Sequence, residues 1–246
     1  MKILSSAWKI IRQMSNVAAT AATNILPMSN VVPLWGGSAL VSHAEKAASA
    51  LQSGHVIAMP TDTIYGVAAL AQNNEAIERI YEIKKRSSSK PLAICVAEVD
   101  DVYVWGEVTV PHSLLTSLLP GPVTLVFKRT PLLNPALNPG TDLVGIRIPD
   151  HAFIRNVVRL CGSPLALTSA NISSKESPLS VEEFQELWGK LHTVFDHGHL
   201  GKDQFRREGS TIVDLSQPGA YRLIRRGSAY EQTTELLHQY DISLID

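Results

Sequence analysis

The sequence predicts an α/β fold built as a single domain, and three observations carry that prediction. Short apolar runs of strand length alternate with segments of helical period along most of the chain. The chain has 246 residues, 45% of them hydrophobic, which is enough for one substantial core. Glycine and proline punctuate the runs instead of forming a low-complexity block. No internal repeat is visible, and the Pro-rich stretch TPLLNPALNPGTD reads as a connection within the domain.

The elements follow in order. HAEKAASALQSG, from residue 43, places Ala44, Ala47, Ala48 and Leu51 on one helical face and closes at Gly54. VIAM follows as a strand. NNEAIERIYEIKKR is helical: Asn74 serves as N-cap, Glu75 suits the first turn, and Ile77, Ile80 and Tyr81 form the stripe. Lys84, Lys85 and Arg86 fall in its last turn, where the helix dipole favours cations. PLAICV is a strand. PHSLLTSLL is a helix with Pro111 at its start and PGP beyond its end. VTLVFK and LVGIRI are strands, HAFIRNVVRLCG a helix and PLALT a strand. SVEEFQELWGK is a helix opening with a capping box, Ser180 and Glu183. HTVFD, STIVDL and YRLIRR are short strands, and SAYEQTTELLHQY is the closing helix.

Composition excludes several classes. The formal net charge is −1, so bulk charge does not make this a nucleic-acid binder. The two cysteines, Cys95 and Cys161, lie beside apolar segments without CxxC spacing and read as reduced core thiols. No apolar run approaches the ~20 residues of a membrane span. Residues 1–44 differ from the rest: they contain Lys2, Lys9 and Arg12, no acidic residue, and many Ser, Thr, Ala and Asn. Ile3, Ala7, Ile10 and Met14 share a helical face. This pattern suits a mitochondrial transit segment, with a disordered tail as the lesser alternative. The expected division is therefore a transit-like or disordered segment over 1–44, a folded domain over 45–235 and a C-terminal tail over 236–246. Mitochondrial and cytoplasmic locations are both expected.

Polar residues gather at strand ends. In TDTIYGVAA (61–69), two threonines and an aspartate follow VIAMP at once. They serve as turn punctuation, or as the lip of a site beside the sheet. KKRSSSKP (84–91) puts four cations and three serines together, the combination of charge and free donors that a polyphosphate needs. The sequence has no GxxxxGK[ST], so this is not a P-loop. TSAN (168–171) and EGSTIVD (208–214) repeat the hydroxyl-rich pattern. Arg147 lies inside a strand and points away from its neighbours Ile146 and Ile148. Arg225 ends another strand. The spacing of His192, His197 and His199 matches no standard zinc site. Trp105 and Trp188 read as packing residues.

MPTDTIYGVAA, KKRSSSKPLAICV, LPGPVTLVFK, VGIRIPDH, LTSANISS and GSTIVDL…RLIRRG occur here in the order found in the YrdC-like family. The resemblance covers residues 45–230. It implies a YrdC-like domain with a twisted mixed β-sheet flanked by helices, and the activity of a threonylcarbamoyl-AMP synthase. That reaction joins L-threonine, bicarbonate and ATP into L-threonylcarbamoyladenylate and pyrophosphate, for modification of a tRNA adenosine beside the anticodon. The family signature K-x-R and S-x-N corresponds to Lys84, Arg86, Ser169 and Asn171, which it implies are catalytic. It implies that Thr63, Cys95, Arg147, Leu167 and Ser210 contact threonine. Arg86, Lys90, Leu143, Ser169, Ser177 and Arg225 are implied to contact ATP. Lys90 and Cys95 stand where bacterial and archaeal relatives often carry Asn and His, and Asp196-His197-Gly198 replaces a glycine-rich turn. Mg²⁺ is expected to arrive with the nucleotide, without a dedicated protein metal site. The implied partners are the downstream tRNA threonylcarbamoyl-transfer machinery and, weakly, tRNA itself. A non-catalytic RNA-binding module of the same fold is the alternative.

Overall fold

The computed structural model describes residues 30–34, 39–87, 90–201 and 207–245. Its centre is a twelve-stranded mixed sheet. In chain order the strands are β1 (Val31–Pro33), β2 (Ile57–Met59), β3 (Gly66–Leu70), β4 (Ala93–Cys95), β5 (Gly106–Glu107), β6 (Val123–Arg129), β7 (Leu143–Arg147), β8 (Leu165–Ser169), β9 (Thr193–Asp196), β10 (Thr211–Asp214), β11 (Ala220–Arg225) and β12 (Ser243–Leu244). The spatial order is β1-β9-β2-β3-β8-β4-β7-β6-β10-β11-β12, with β5 added beside β6. Antiparallel pairs such as β2/β3 and β6/β7 mix with parallel pairs such as β4/β7 and β6/β10.

The helices are α1 (Ala39–Gln52), α2 (Asn74–Lys84), α3 (Asp101–Trp105), α4 (His112–Leu118), α5 (Ala152–Cys161), α6 (Gln185–Trp188) and α7 (Tyr230–Gln239). Alternation along each strand sends side chains to two separate cores. On one face, Ala44, Ala47 and Leu51 of α1 and Phe153, Ile154 and Val157 of α5 pack with Ile57, Met59 and Cys95. On the other, Ile77 and Ile80 of α2, Leu114 and Leu115 of α4 and Leu237 of α7 pack with Leu125, Phe127 and Ile146. The stripes read from the sequence on the first two helices are therefore the buried faces.

Several boundaries differ from the expected ones. The folded unit begins before residue 45: β1 pairs in parallel with β9, and the 44/45 boundary falls inside α1. The 235/236 boundary likewise falls inside α7, and β12 pairs with β11. Both edge strands are too short to announce themselves by periodicity. The expected transit segment lies mostly on residues 1–29, outside the described residues. The N-cap of α2 is Asn73, whose side chain accepts from the Ala76 N–H, and not Asn74. The expected capping box is not formed. Ser180 makes no side-chain cap bond, residues Val181–Phe184 form a 3₁₀ turn, and Glu183 is paired with Arg207. No helix among the described residues is long and apolar enough to cross a membrane.

Candidate functional site

On the α1/α5 side of the sheet, those two helices leave part of the central strands uncovered. Gly66 of β3, Leu167 of β8, Ala93 of β4, Thr124 of β6 and Ile212 of β10 face a cavity of about 160 Å³ there. Small residues keep its floor low. A Cβ on Gly66 would come within 2.7 Å of Leu167 Cδ1, and one on Gly145 of β7 within 3.1 Å of Thr124 Cγ2. The site thus lies across the face of the sheet, and the polar strand ends form its rim.

The rim brings together many of the residues singled out from the sequence. Arg147, the last residue of β7, is buried and lines the cavity. Its Nη2 donates to Thr63 Oγ1 at 2.8 Å and is paired with the Asp62 carboxylate. The β2–β3 connection that supplies these partners is locked by Thr61. The Thr61 hydroxyl donates to the Ile64 carbonyl at 2.7 Å and accepts from the N–H groups of Thr63 and Ile64. Ser210 Oγ stands 2.7 Å from Thr124 Oγ1, both buried. Arg225 Nη2 donates to the Ser210 carbonyl at 2.8 Å and lies 3.3 Å from Ser210 Oγ. Arg86 closes another side, donating through Nη2 to the Pro91 carbonyl at 2.9 Å and through Nε to the Lys90 carbonyl at 3.2 Å. Burial lowers the pKa of both Arg86 and Arg225, and Arg147 adds to the effect at Arg225. Neither carries a carboxylate partner among the described residues, so the cavity offers positive charge to an anion.

Lys84 is not part of a solvated cationic loop. It is 1% exposed, and Nζ donates to the Ser169 carbonyl and to the Asn171 carbonyl, the latter at 2.5 Å. Burial, with help from Arg86, brings its pKa down to about 7. Lys84 therefore ties the end of α2 to the end of β8, beneath the Ser169 rim of the cavity. Asn171 lies outside the lining; its Nδ2 donates to the Ile172 and Lys175 carbonyls.

Thr63 stands behind the lining and reaches it through Arg147, and four further expected contacts lie elsewhere. Cys95 is wholly buried beside Arg147 in the α1/α5 core, and burial pushes its thiol up to about 12; it does not line the cavity. Lys90 is exposed and contributes its carbonyl, not its ammonium, to Arg86. Leu143 shares the face of Arg147 but stands at the opposite end of β7. Ser177 presents its carbonyl to Arg207, and the adjacent Pro178 carbonyl accepts from the Tyr65 N–H. The Asp196-His197-Gly198 turn is a brace. The Tyr65 hydroxyl donates to the Gly198 carbonyl at 2.7 Å and accepts from the His197 N–H at 2.9 Å. The sequence marked Thr61 and Asp62 as part of a polar lip without giving either a partner, and it gave Thr124 no role; a lone threonine on one face of the apolar strand VTLVF was the available signal for the last. Among the described residues no group of three His, Cys, Asp or Glu side chains could hold a metal ion.

Two consequences are measurable. The loop after β11 crosses so close to β10 that a Cβ on Gly227 would lie 2.4 Å from backbone atoms of Gly209, Ser210 and Thr211. Gly227→Ala is expected to cost about 2–3 kcal/mol in denaturant unfolding, because backbone must move and not merely a side chain. The second concerns His151, whose ring packs edge-on to His197 at 4.9 Å and whose two ring nitrogens are buried without partners among the described residues. Burial and His197 lower its pKa to about 4, against the opposing pull of Asp62 and Asp150. The folded state then binds fewer protons than the unfolded state between about pH 6.5 and pH 4. Stability from this residue is complete above pH 6.5 and falls, by on the order of 3 kcal/mol, as pH drops toward 4. His151→Phe keeps a ring and should flatten that acid limb in urea titrations at stepped pH.

Comparison with known proteins gives consistent results. The family model for Sua5, YciO and YrdC proteins, described as Telomere recombination, matches residues 49–227. The chain is 52% identical over 198 residues to the threonylcarbamoyl-AMP synthase of Bos taurus, covering 80% of this chain and 72% of that one. It is 53% identical over 195 residues to that of Homo sapiens, covering 78% and 70%. Among solved structures, that of P. abyssi Sua5 complexed with L-threonine superposes with a TM-score of 0.74 at 30% identity. The match covers 83% of this chain but only 59% of the archaeal one, so the chain spans about three fifths of that protein.

Proposed function

The chain belongs to the Sua5, YciO and YrdC family, and from that premise we infer that it catalyses the synthesis of threonylcarbamoyl-AMP from L-threonine, bicarbonate and ATP. The observation that carries the reading is the division of charge around one cavity. Arg147, fixed by Thr63 and Asp62 on one wall, presents a rigid planar fork suited to an amino-acid carboxylate. Arg86 and Arg225, without carboxylate partners among the described residues, stand on the walls where phosphates of ATP would lie. Their charge, held in place before the ligands arrive, neutralises the approach of the threonine carbamate to the α-phosphate. Holding the reactants against one sheet face supplies much of the rate, since three substrates must meet. The transfer is of a nucleotidyl group, and pyrophosphate leaves.

Mg²⁺ arrives with ATP, held by its phosphates; among the described residues the lining offers hydroxyls and arginines to the nucleotide. The product passes to the tRNA threonylcarbamoyl-transfer machinery. The acid-free N-terminal segment, with its three cations, supports delivery of part of the protein to mitochondria beside a cytoplasmic pool.

Pyrophosphate release is the test. It should require threonine and bicarbonate together with ATP, and serine should substitute poorly. Release that proceeds without an amino acid would end this reading, and steeply salt-dependent RNA binding without turnover would favour the non-catalytic alternative.

A further inference from the structure

We propose that Asp62 is a positioning residue of this site, aiming the Arg147 guanidinium at the amino-acid substrate. An aspartate directly after a core strand has three possible employments: capping the turn, meeting a ligand, or holding another side chain. The geometry selects the third. One carboxylate oxygen of Asp62 pairs with Arg147 Nη2, and the other accepts from the Asp150 N–H at 2.9 Å. Neither oxygen caps its own turn; Thr61 does that, binding the Thr63 and Ile64 N–H groups. Both side chains are nearly buried, at 8% and 9% exposure. Arg147 ends β7 and Asp150 lies in the connection to α5, so Asp62 holds the segment that carries the guanidinium at two points.

The Thr61 hydroxyl is fully engaged by the turn: its one proton goes to the Ile64 carbonyl and its two lone pairs to the Thr63 and Ile64 N–H groups. Thr63 Oγ1, 3.1 Å from it, accepts from Arg147 Nη2. Asp62 and Thr63 together occupy that one nitrogen and fix the guanidinium plane. Arg147 Nε is a buried donor without a partner among the described residues. Arg147 is thus a neutralised, oriented hydrogen-bond fork, and Arg86 and Arg225 supply the net positive charge. If Asp62 were instead a counter-ion competing with substrate, its removal would tighten threonine binding. If it aims Arg147, removal weakens it.

This rests on the reading that the cavity takes threonine, and two measurements keep the ideas separable. Steady-state kinetics of Asp62→Asn, which keeps the shape and loses the charge, should show the KM for threonine raised at least tenfold. The KM for ATP should stay within about twofold, and kcat should largely recover at saturating threonine. An unchanged or lowered threonine KM overturns the proposal, as does an equal rise in both KM values with a lowered melting temperature. Separately, ¹⁵N NMR of the Arg side chains in the substrate-free protein should show slowly exchanging Arg147 Nη protons, lost in Asp62→Asn. Fast exchange in the unaltered protein contradicts the positioning claim whatever the substrate proves to be. Failure of the unaltered enzyme to turn over threonine would instead overturn the functional reading.

Discussion

Arg147→Ala is expected to weaken threonine binding by roughly 30- to 1000-fold, or 2–4 kcal/mol, the cost of losing a charge-assisted pair in a desolvated site. ATP binding should change far less, because Arg86 and Arg225 remain. Arg86→Ala should show the reverse preference, with a smaller loss since Arg225 still faces the phosphates. Arg147→Lys should recover little, because a compact ammonium cannot span the directions that the planar fork serves. Arg147→Ala also leaves the Asp62 carboxylate buried without its cation, so the variant should lose stability. Adding Asp62→Ala should restore that stability and leave threonine affinity low. Calorimetric titration with each ligand, alongside urea unfolding, separates the two effects. Equal weakening of both ligands by both arginine variants, with the fold intact, would show that the cavity has been divided wrongly.

Lys84→Met is expected to be the most damaging change outside the cavity lining. Methionine fills the same channel but donates nothing to the Ser169 and Asn171 carbonyls. Leaving two buried acceptors unpaired costs about 2–5 kcal/mol, reduced by the desolvation that the buried amine no longer suffers. The end of β8 is then free to shift, so turnover should drop more than tenfold even where the variant remains folded. The pH dependence identifies the cause. With the folded pKa near 7 and the unfolded value near 10.5, the folded state binds fewer protons between those limits. The native protein therefore gains stability as pH rises through that window, and the gap over Lys84→Met should widen from pH 7 to pH 10. A constant gap would mean that the amine stays charged throughout.

Much of the fold was legible because its signals were local. The alanine and isoleucine stripes of α1 and α2 are buried as their spacing predicts, and α/β alternation gave the layers. The third strand, Gly66–Leu70, escaped notice because it is buried on both sides, so GVAAL shows no alternation. Ser180 and Glu183 spelled a capping box, but Arg207, distant in sequence, claims the glutamate. Lys84 read as one of four cations grouped for a polyphosphate; only the tertiary structure reveals the two carbonyls that hold it. At the site, the arginines and hydroxyls were visible as residue types at strand ends. The exclusion of Cys95, Lys90, Leu143 and Ser177 from the cavity was not visible, since it depends on which strands become neighbours. The carboxylate of Asp62 was visible from the first and had no reader until β7 was placed beside it.

The most direct measurement of the central claim is the mass of the product formed without tRNA. Purified protein incubated with ATP, threonine and ¹³C-labelled bicarbonate should yield threonylcarbamoyl-AMP carrying the label, and the adenylate should vanish when any one substrate is left out. ATP consumption that yields only ADP, or an adenylate of threonine without the labelled carbon, would contradict it.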